Sequence, residues 1–365
     1  MKTALFIFGT RPEAVKLCPL VRELKGRPGL RTLVCVTGQH RQMLDPILEA
    51  FAVTPDFDLG VMRPCQDLSG LTAAVLEGVS GLLERTRPDV ALVQGDTATT
   101  FAGALACFYA HIPVGHVEAG LRTYDMDRPW PEELYRRAVT LMSRWHFAPT
   151  EQARQNLLRE GVEPEHVFVT GNTVIDALET TVQEDYVNPL LDWAGSGRLL
   201  LLTVHRRENL GAPMEQALGA IRRAVDEHPD VKAVYPVHMN PAVRKTAYAV
   251  LGGHERIRLT GPMGLGDFHN VMARSWLILT DSGGIQEEAP SLGKPVLVLR
   301  DVTERPEGVA AGTLKVVGTD AETVYRELTR LLDDPAAYAA MAGASNPYGD
   351  GGASRRIADI LLERL

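Results

Sequence analysis

The run Trp276-Leu277-Ile278-Leu279-Thr280-Asp281-Ser282-Gly283-Gly284-Ile285-Gln286-Glu287-Glu288 passes from an apolar strand through a glycine turn into a helix. Its apolar half lacks the alternation of a half-exposed strand, so it reads as a buried strand with helices on both faces. The paired glycines let backbone N–H groups approach a phosphate, Ser282 adds a hydroxyl, and a helix start favours negative charge. Glu288 stands nearly two turns further on, where a carboxylate can accept from ribose hydroxyls. A capped helix with ordinary first-turn acids is the plainer account. Paired glycines in a hydrophobic sheet context favour the phosphate.

The same order of strand, turn and helix recurs in both directions along the 365 residues. Upstream lie Ala4–Phe8, Thr32–Thr37, Val90–Gln94, Pro113–Val117, Trp145–Ala148 and Val167–Thr170. After a weakly periodic stretch from Glu184 to Gly197 the pattern restarts with Leu199–Val204, Ala233–Val237, Ile257–Thr260 and the quoted strand, then Val296–Leu299 and Leu314–Val317. Two consecutive sets predict an α/β protein: two doubly wound (Rossmann-like) parallel-sheet domains facing across a cleft, with ligands at the strands' carboxyl ends. Thr150 is placed to cap a helix over Glu151–Glu160, and Asp67 to open one through Arg85.

Composition narrows the class. Hydrophobic residues are 45% and charged residues 23%, an ordinary globular balance with material for two cores. The net charge of -8 argues against a general nucleic-acid or anionic-membrane surface. The four cysteines form no CxxC pair, so neither a disulfide framework nor a cysteine zinc site is expected. No HExxH spacing occurs, and no metal is expected. Ala4–Phe8 is too short for a signal segment and no apolar run spans a membrane, so the expected location is cytoplasmic.

Chemistry-bearing residues gather at the predicted strand ends. Gly9-Thr10-Arg11-Pro12 opens a helix containing Lys16, and its two cations suit an anion; a solvated strand–turn–helix fits equally well. It is neither G-x-G-x-x-G nor a P-loop. Asp96, Glu118 and Glu132 end or follow buried strands, where desolvation suits a carboxylate to proton transfer. Each alone is more often a helix cap. His205 stands beside Arg206 and Arg207 and can act as acid or base or contact phosphate. His116, inside a strand, reads as a core residue.

Taken together, Gly9–Lys16, Gly95–Thr97, Pro113–Arg122, Pro129–Glu133, His205–Asn209, Tyr235–Pro241, Asp281–Gly293, Thr303–Glu307 and Asn346–Gly351 closely resemble the bacterial non-hydrolysing UDP-N-acetylglucosamine 2-epimerases. The likeness runs colinearly through nearly the whole chain. It implies a glycosyltransferase-B fold, a homodimer, no nicotinamide cofactor, and interconversion of UDP-N-acetylglucosamine and UDP-N-acetylmannosamine. It implies elimination of UDP to 2-acetamidoglucal and re-addition, supplying N-acetylmannosamine for cell-surface polysaccharide. It further implies domains of residues 1–172 with 352–365, the last helix packing back on the first domain, and of residues 173–351.

Carried over position by position, the resemblance puts Ser282, Gly283 and Gly284 on the diphosphate, Glu288 on the ribose, and Phe268 by the uracil. Met263 stands where relatives often have a polar residue, so a uracil contact there falls to backbone. Arg11, Lys16, His205 and Arg305 add substrate contacts, and Asp96, Glu118, Glu132 and His205 form the acid/base set. Some members bind a second UDP-N-acetylglucosamine as an activator. Gln39, Gln42, Glu132, Arg206 and His238 match its residues, with Cys65 where those members have arginine. A glycosyltransferase or hydrolysing epimerase on the same fold is the nearest rival. A nicotinamide oxidoreductase and a non-catalytic nucleotide-sugar sensor are more distant.

Overall fold

The computed structural model describes residues 1–365 other than His40 and Pro64 and the side chains of Arg41 and Gln42. The chain divides into two compact units, Met1–Thr180 with Tyr348–Leu365, and Thr181–Pro347.

The first unit holds a parallel sheet of β1 (Lys2–Phe8), β2 (Leu30–Val36), β3 (Phe57–Asp58), β4 (Val90–Gln94), β5 (Val114–Val117), β6 (Trp145–Ala148) and β7 (Val167–Val169). Their order is β3-β2-β1-β4-β5-β6-β7, and every pair is parallel. Ala4–Phe8 is fully buried, as a central strand covered on both faces must be. The order reverses between β1 and β4, so the turns at Gly9 and Gly95 open the crevice where such sheets bind ligands.

The second unit repeats this plan with β8 (Arg198–Thr203), β9 (Val231–Pro236), β10 (Ile257–Thr260), β11 (Leu277–Thr280), β12 (Val296–Val298) and β13 (Leu314–Val316). Here the order is β10-β9-β8-β11-β12-β13, again parallel, and the reversal falls between β8 and β11. His205–Arg206 and Asp281–Gly284 therefore leave adjacent strands at the switch point.

Three local differences from the sequence reading have physical causes. β3 was not expected, because a two-residue strand carries no periodic signal. Within the weakly periodic stretch, Asn188 caps a short helix, Pro189–Ala194, by accepting from Leu190 N at 2.9 Å. The division at 180/181 and 347/348 lies apart from the expected 172/173 and 351/352. Helix Thr173–Thr181 is tied to the first unit: Asp176 accepts from Ser354 N at 2.6 Å and Ala353 N at 3.3 Å, and Asn172 N donates to Tyr348 O at 2.7 Å.

Candidate functional site

The first unit's crevice is organised by a residue outside the expected set. Glu13, fully buried, accepts from Gly9 N at 3.0 Å and Thr10 N at 2.7 Å through one oxygen. Its other oxygen accepts from Thr97 Oγ1 at 2.8 Å and Thr100 Oγ1 at 3.2 Å. Thr10 and Glu13 make a capping box for helix Arg11–Lys25, so one carboxylate starts the helix and joins the turns after β1 and β4. Burial pushes its pKa up against the pull of hydrogen bonds from Thr10, Thr97 and Gly9. Gly9 is required by space: a Cβ there would lie 1.9 Å from Thr37 Oγ1.

Expected residues occupy this edge. Asp96 is ion-paired to Arg136 at 2.8 Å, and Arg136 also meets Glu133 at 3.2 Å. Burial raises the Asp96 pKa, Arg136 opposes the rise, and Glu118 adds to it. That places Asp96 closer to a neutral-pH base than a free carboxylate. Glu118 is ion-paired to Lys16 and accepts from Asn172 Nδ2 at 2.9 Å. Its φ of 62° is uncommon for a residue with a side chain, a strain of the kind that gathers at functional sites. Glu132 begins helix Glu132–Met142 one turn before Arg136, on the same face. Its buried Oε2 has no hydrogen-bond partner among the described residues. Arg11 is half-buried at its helix start. Thus Asp96, Glu118 and Lys16 lie together, and Glu132 stands on the helix that anchors Asp96.

His116 supports this edge from below, through a 2.8 Å hydrogen bond between Nε2 and Gly95 O. It pairs in register with His146, and burial pushes the two imidazoles down to about 4 and about 3. Unfolded imidazoles take protons near pH 6.5. The stabilisation from keeping these two neutral is therefore complete above pH 6.5 and drains as pH falls toward 4. Linkage sets the slope at about 1.4 kcal/mol per pH unit for each histidine. Raised carboxylates such as Asp96 act oppositely, so the comparison must be with a variant. His146→Gln is expected to remove one such slope from denaturation midpoints between pH 6.5 and 4.5; an unchanged pH dependence refutes this.

Two cations approach the second unit's crevice. A Cβ placed on Gly283 would lie 3.9 Å from an Nη2 of both Arg206 and Arg305, so two guanidinium groups approach the glycine turn. The amides of Gly283 and Gly284 make no hydrogen bond among the described residues, whereas Ser282 N donates to Thr280 Oγ1 at 2.9 Å. Arg305 is held by an ion pair to buried Glu287. Glu288 lies 3.5 Å from His269 Nε2, and His269 Nδ1 is 2.6 Å from Thr181 Oγ1. His205 stacks on His238, with centroids 5.3 Å apart. Burial lowers the His205 pKa, while Asp281 counters it. Asp281 Oδ2 accepts from His205 N at 2.8 Å, Arg206 N at 2.7 Å and Asn209 Nδ2 at 3.0 Å, so it builds the turn that carries both residues. Phe268, on helix Leu265–Arg274, and Met263, in the loop after β10, are both half-buried.

Of the remaining expected residues, Gln39 accepts from Thr99 Oγ1 at 3.3 Å. The Gln42 side chain lies outside the described residues. Cys65 is exposed with φ 59°. Residues not foreseen are Glu13, Arg136, Asn172, Asp281 and Glu287. The Thr10-x-x-Glu13 spacing of a capping box and the acid before Ser-Gly-Gly were the available signals.

Comparison with known proteins agrees with this geometry. The family pattern described as UDP-N-acetylglucosamine 2-epimerase matches residues 22–362. The UDP-N-acetylglucosamine 2-epimerase of Bacillus subtilis (strain 168) is 57% identical over 356 residues, 98% of this chain and 94% of that protein. The S. aureus MnaA–UDP co-structure superposes with a TM-score of 0.91 at 49% identity, covering 100% of this chain and 97% of that one. A UDP-GlcNAc 2-epimerase from Neisseria meningitidis bound to UDP-GlcNAc gives a TM-score of 0.88 at 45% identity, with both chains covered completely.

Proposed function

Because the chain belongs to the UDP-N-acetylglucosamine 2-epimerase family, a family of enzymes with the glycosyltransferase-B fold, we propose that it reversibly epimerises UDP-N-acetylglucosamine at C2 to UDP-N-acetylmannosamine. The observation that carries this reading is a division of labour between the units. One strand edge offers two guanidiniums and free amides to a diphosphate, and the other offers a proton a desolvated carboxylate, Asp96, with Glu118 beside it.

The chemistry requires both. No carbonyl acidifies the C2 proton, so deprotonation alone is too costly. As a carboxylate removes that proton, the C2–H pair forms the C1=C2 bond and the C1–O bond breaks, its electrons leaving with UDP. The product, 2-acetamidoglucal, is protonated at C2 from the other face while a diphosphate oxygen re-forms the bond to C1. Ser282, Gly283, Gly284, Arg11 and Arg305 stabilise the departing charge, with Glu288 on the ribose and Phe268 and the Met263 backbone by the uracil. Asp96, Glu118 and Glu132 serve the two ring faces, Lys16 holding Glu118. No nicotinamide or metal takes part.

Incubating the purified protein with UDP-N-acetylglucosamine in D2O, without acceptor, tests this. UDP-N-acetylmannosamine carrying deuterium at C2 is the expected product. Free N-acetylmannosamine plus UDP would instead identify a hydrolysing enzyme, and no reaction a sensor or a transferase awaiting its acceptor.

The same reading makes the protein a cytoplasmic homodimer that supplies N-acetylmannosamine for cell-surface polysaccharide. Phe108, Tyr109 and Leu141, exposed at 54%, 65% and 84%, offer apolar surface for a second copy. We also read Gln39, Gln42, Glu132, Arg206 and His238 as the seat of an activating second UDP-N-acetylglucosamine, weakened by Cys65. A thiol supplies neither the charge nor the fork of arginine, a deficit of roughly 1.5–3 kcal/mol toward an anion. Cys65→Arg is therefore expected to lower the half-activating concentration about ten- to a hundredfold in the reaction run from UDP-N-acetylmannosamine. Equal concentrations in both proteins would remove Cys65 from effector binding.

A further inference from the structure

Asp281 has a second oxygen that the turn does not use. Oδ2 takes the three donors that shape the His205–Asn209 segment, and Asn209 Nδ2 is shared with Leu299 O at 2.9 Å. Oδ1, in a fully buried residue, has no hydrogen-bond partner among the described residues and lies 3.7 Å from His205 Nδ1. A buried carboxylate oxygen left bare is costly, and it persists where a partner arrives during function. The gap exceeds a hydrogen bond by less than 1 Å, which a small rotation of the half-exposed imidazole closes. Such contacts are often long without ligand and tighten with it.

We propose, resting on the epimerase reading, that Asp281 is the positioning residue for His205: its Oδ1 keeps a proton on Nδ1, so that Nε2 serves the diphosphate. With Nδ1–H committed to Asp281, Nε2 is the ring atom that gains and loses the titrating proton. The imidazolium then presents Nε2–H to the oxygen that acquires charge as the C1–O bond breaks. The charged and titratable groups around the ring are Asp281 on the turn after β11, His238 after β9, and the adjacent Arg206. Asp281 is the one anion of the three and alone favours the charged ring. Its removal lets burial, His238 and Arg206 act unopposed.

Asp281→Asn separates this role from the structural one. The Asn carbonyl can still accept from His205 N, Arg206 N and Asn209 Nδ2, which preserves the turn. Its amide must then donate toward Nδ1 and forces the neutral ring into the Nε2–H tautomer. The expected result is a kcat lower by about 10²-fold or more, with UDP affinity changed by less than about threefold. Nitrogen-15 NMR of labelled imidazoles in the UDP complex should show Nδ1–H in wild-type His205 and Nε2–H in the variant, with protonation moved to lower pH. His205→Asn and Asp281→Asn should not multiply when combined, because they disable one unit. A wild-type ring carrying its neutral proton on Nε2, a variant with wild-type kcat, or multiplicative losses would each overturn the proposal. If Asp281→Asn does not fold, the wild-type NMR result decides alone. A wild type that makes no UDP-N-acetylmannosamine refutes the epimerase reading instead, and leaves the NMR test standing.

Discussion

Asp96→Asn, Glu118→Gln and Glu132→Gln are each expected to lower turnover by about 10²-fold or more while UDP affinity stays near wild type. Each substitution keeps the side chain's shape and removes its ability to carry a proton. Their surroundings limit structural damage. In Asp96→Asn, Arg136 keeps Glu133 at 3.2 Å, and in Glu118→Gln the new carbonyl can still accept from Asn172. None of the three belongs to the unit that carries the Ser282–Gly284 turn, so UDP affinity is a built-in control. Kinetics from both epimers, read together with C2 hydrogen exchange in D2O, divide the roles. A residue acting on one face is needed for exchange out of one epimer and less for exchange out of the other. Near-normal turnover in all three variants would sink the assignment.

Strand identity was legible because the parallel strands are short, mostly apolar runs, many of them followed within two residues by a glycine or an acid. Val90–Gln94, Trp145–Ala148 and Ile257–Thr260 begin and end where the sequence puts them. The others slip by one or two residues: ladders open earlier than the apolar run at Lys2 and Arg198, and Thr37, Thr170, Val237, Leu299 and Val317 still donate to the neighbouring strand just past the assigned ends. The same grammar exposed Asp96, Glu118, His205 and Ser282, each just beyond a strand. Their partners were not legible. Arg136 lies 40 residues from Asp96, Asn172 lies 54 from Glu118, and Asp281 lies 76 from His205. Only strand order brings such positions together, and the reversals between β1 and β4 and between β8 and β11 are not written in any local pattern. The resemblance supplied roles for individual residues, but it named none of these supporting contacts.

Glu13→Ala is expected to destabilise the protein by about 2–5 kcal/mol, because it orphans buried donors and leaves a cavity. The four contacts are not equal. Gly9 N and Thr10 N make no other hydrogen bond among the described residues, whereas the threonine hydroxyls can rotate. Thr97 and Thr100 lie 3.0 Å apart, and Thr100 Oγ1 already reaches Gln94 O at 2.6 Å. The two backbone amides therefore dominate the loss. Glu13→Gln separates charge from shape: its carbonyl can keep both amides while its amide donates to the hydroxyls, so a cost below about 1.5 kcal/mol is expected. Activity should fall more steeply than stability in the alanine variant. The turns released are those that carry Arg11 and Asp96, and misplacement by about 1 Å can cost roughly 10²-fold in rate. Urea denaturation of both variants, paired with turnover at a temperature where each stays folded, provides the measurement. An alanine variant within about 1 kcal/mol of wild type, or one equal to the glutamine variant, would mean that Glu13 does not join the two turns.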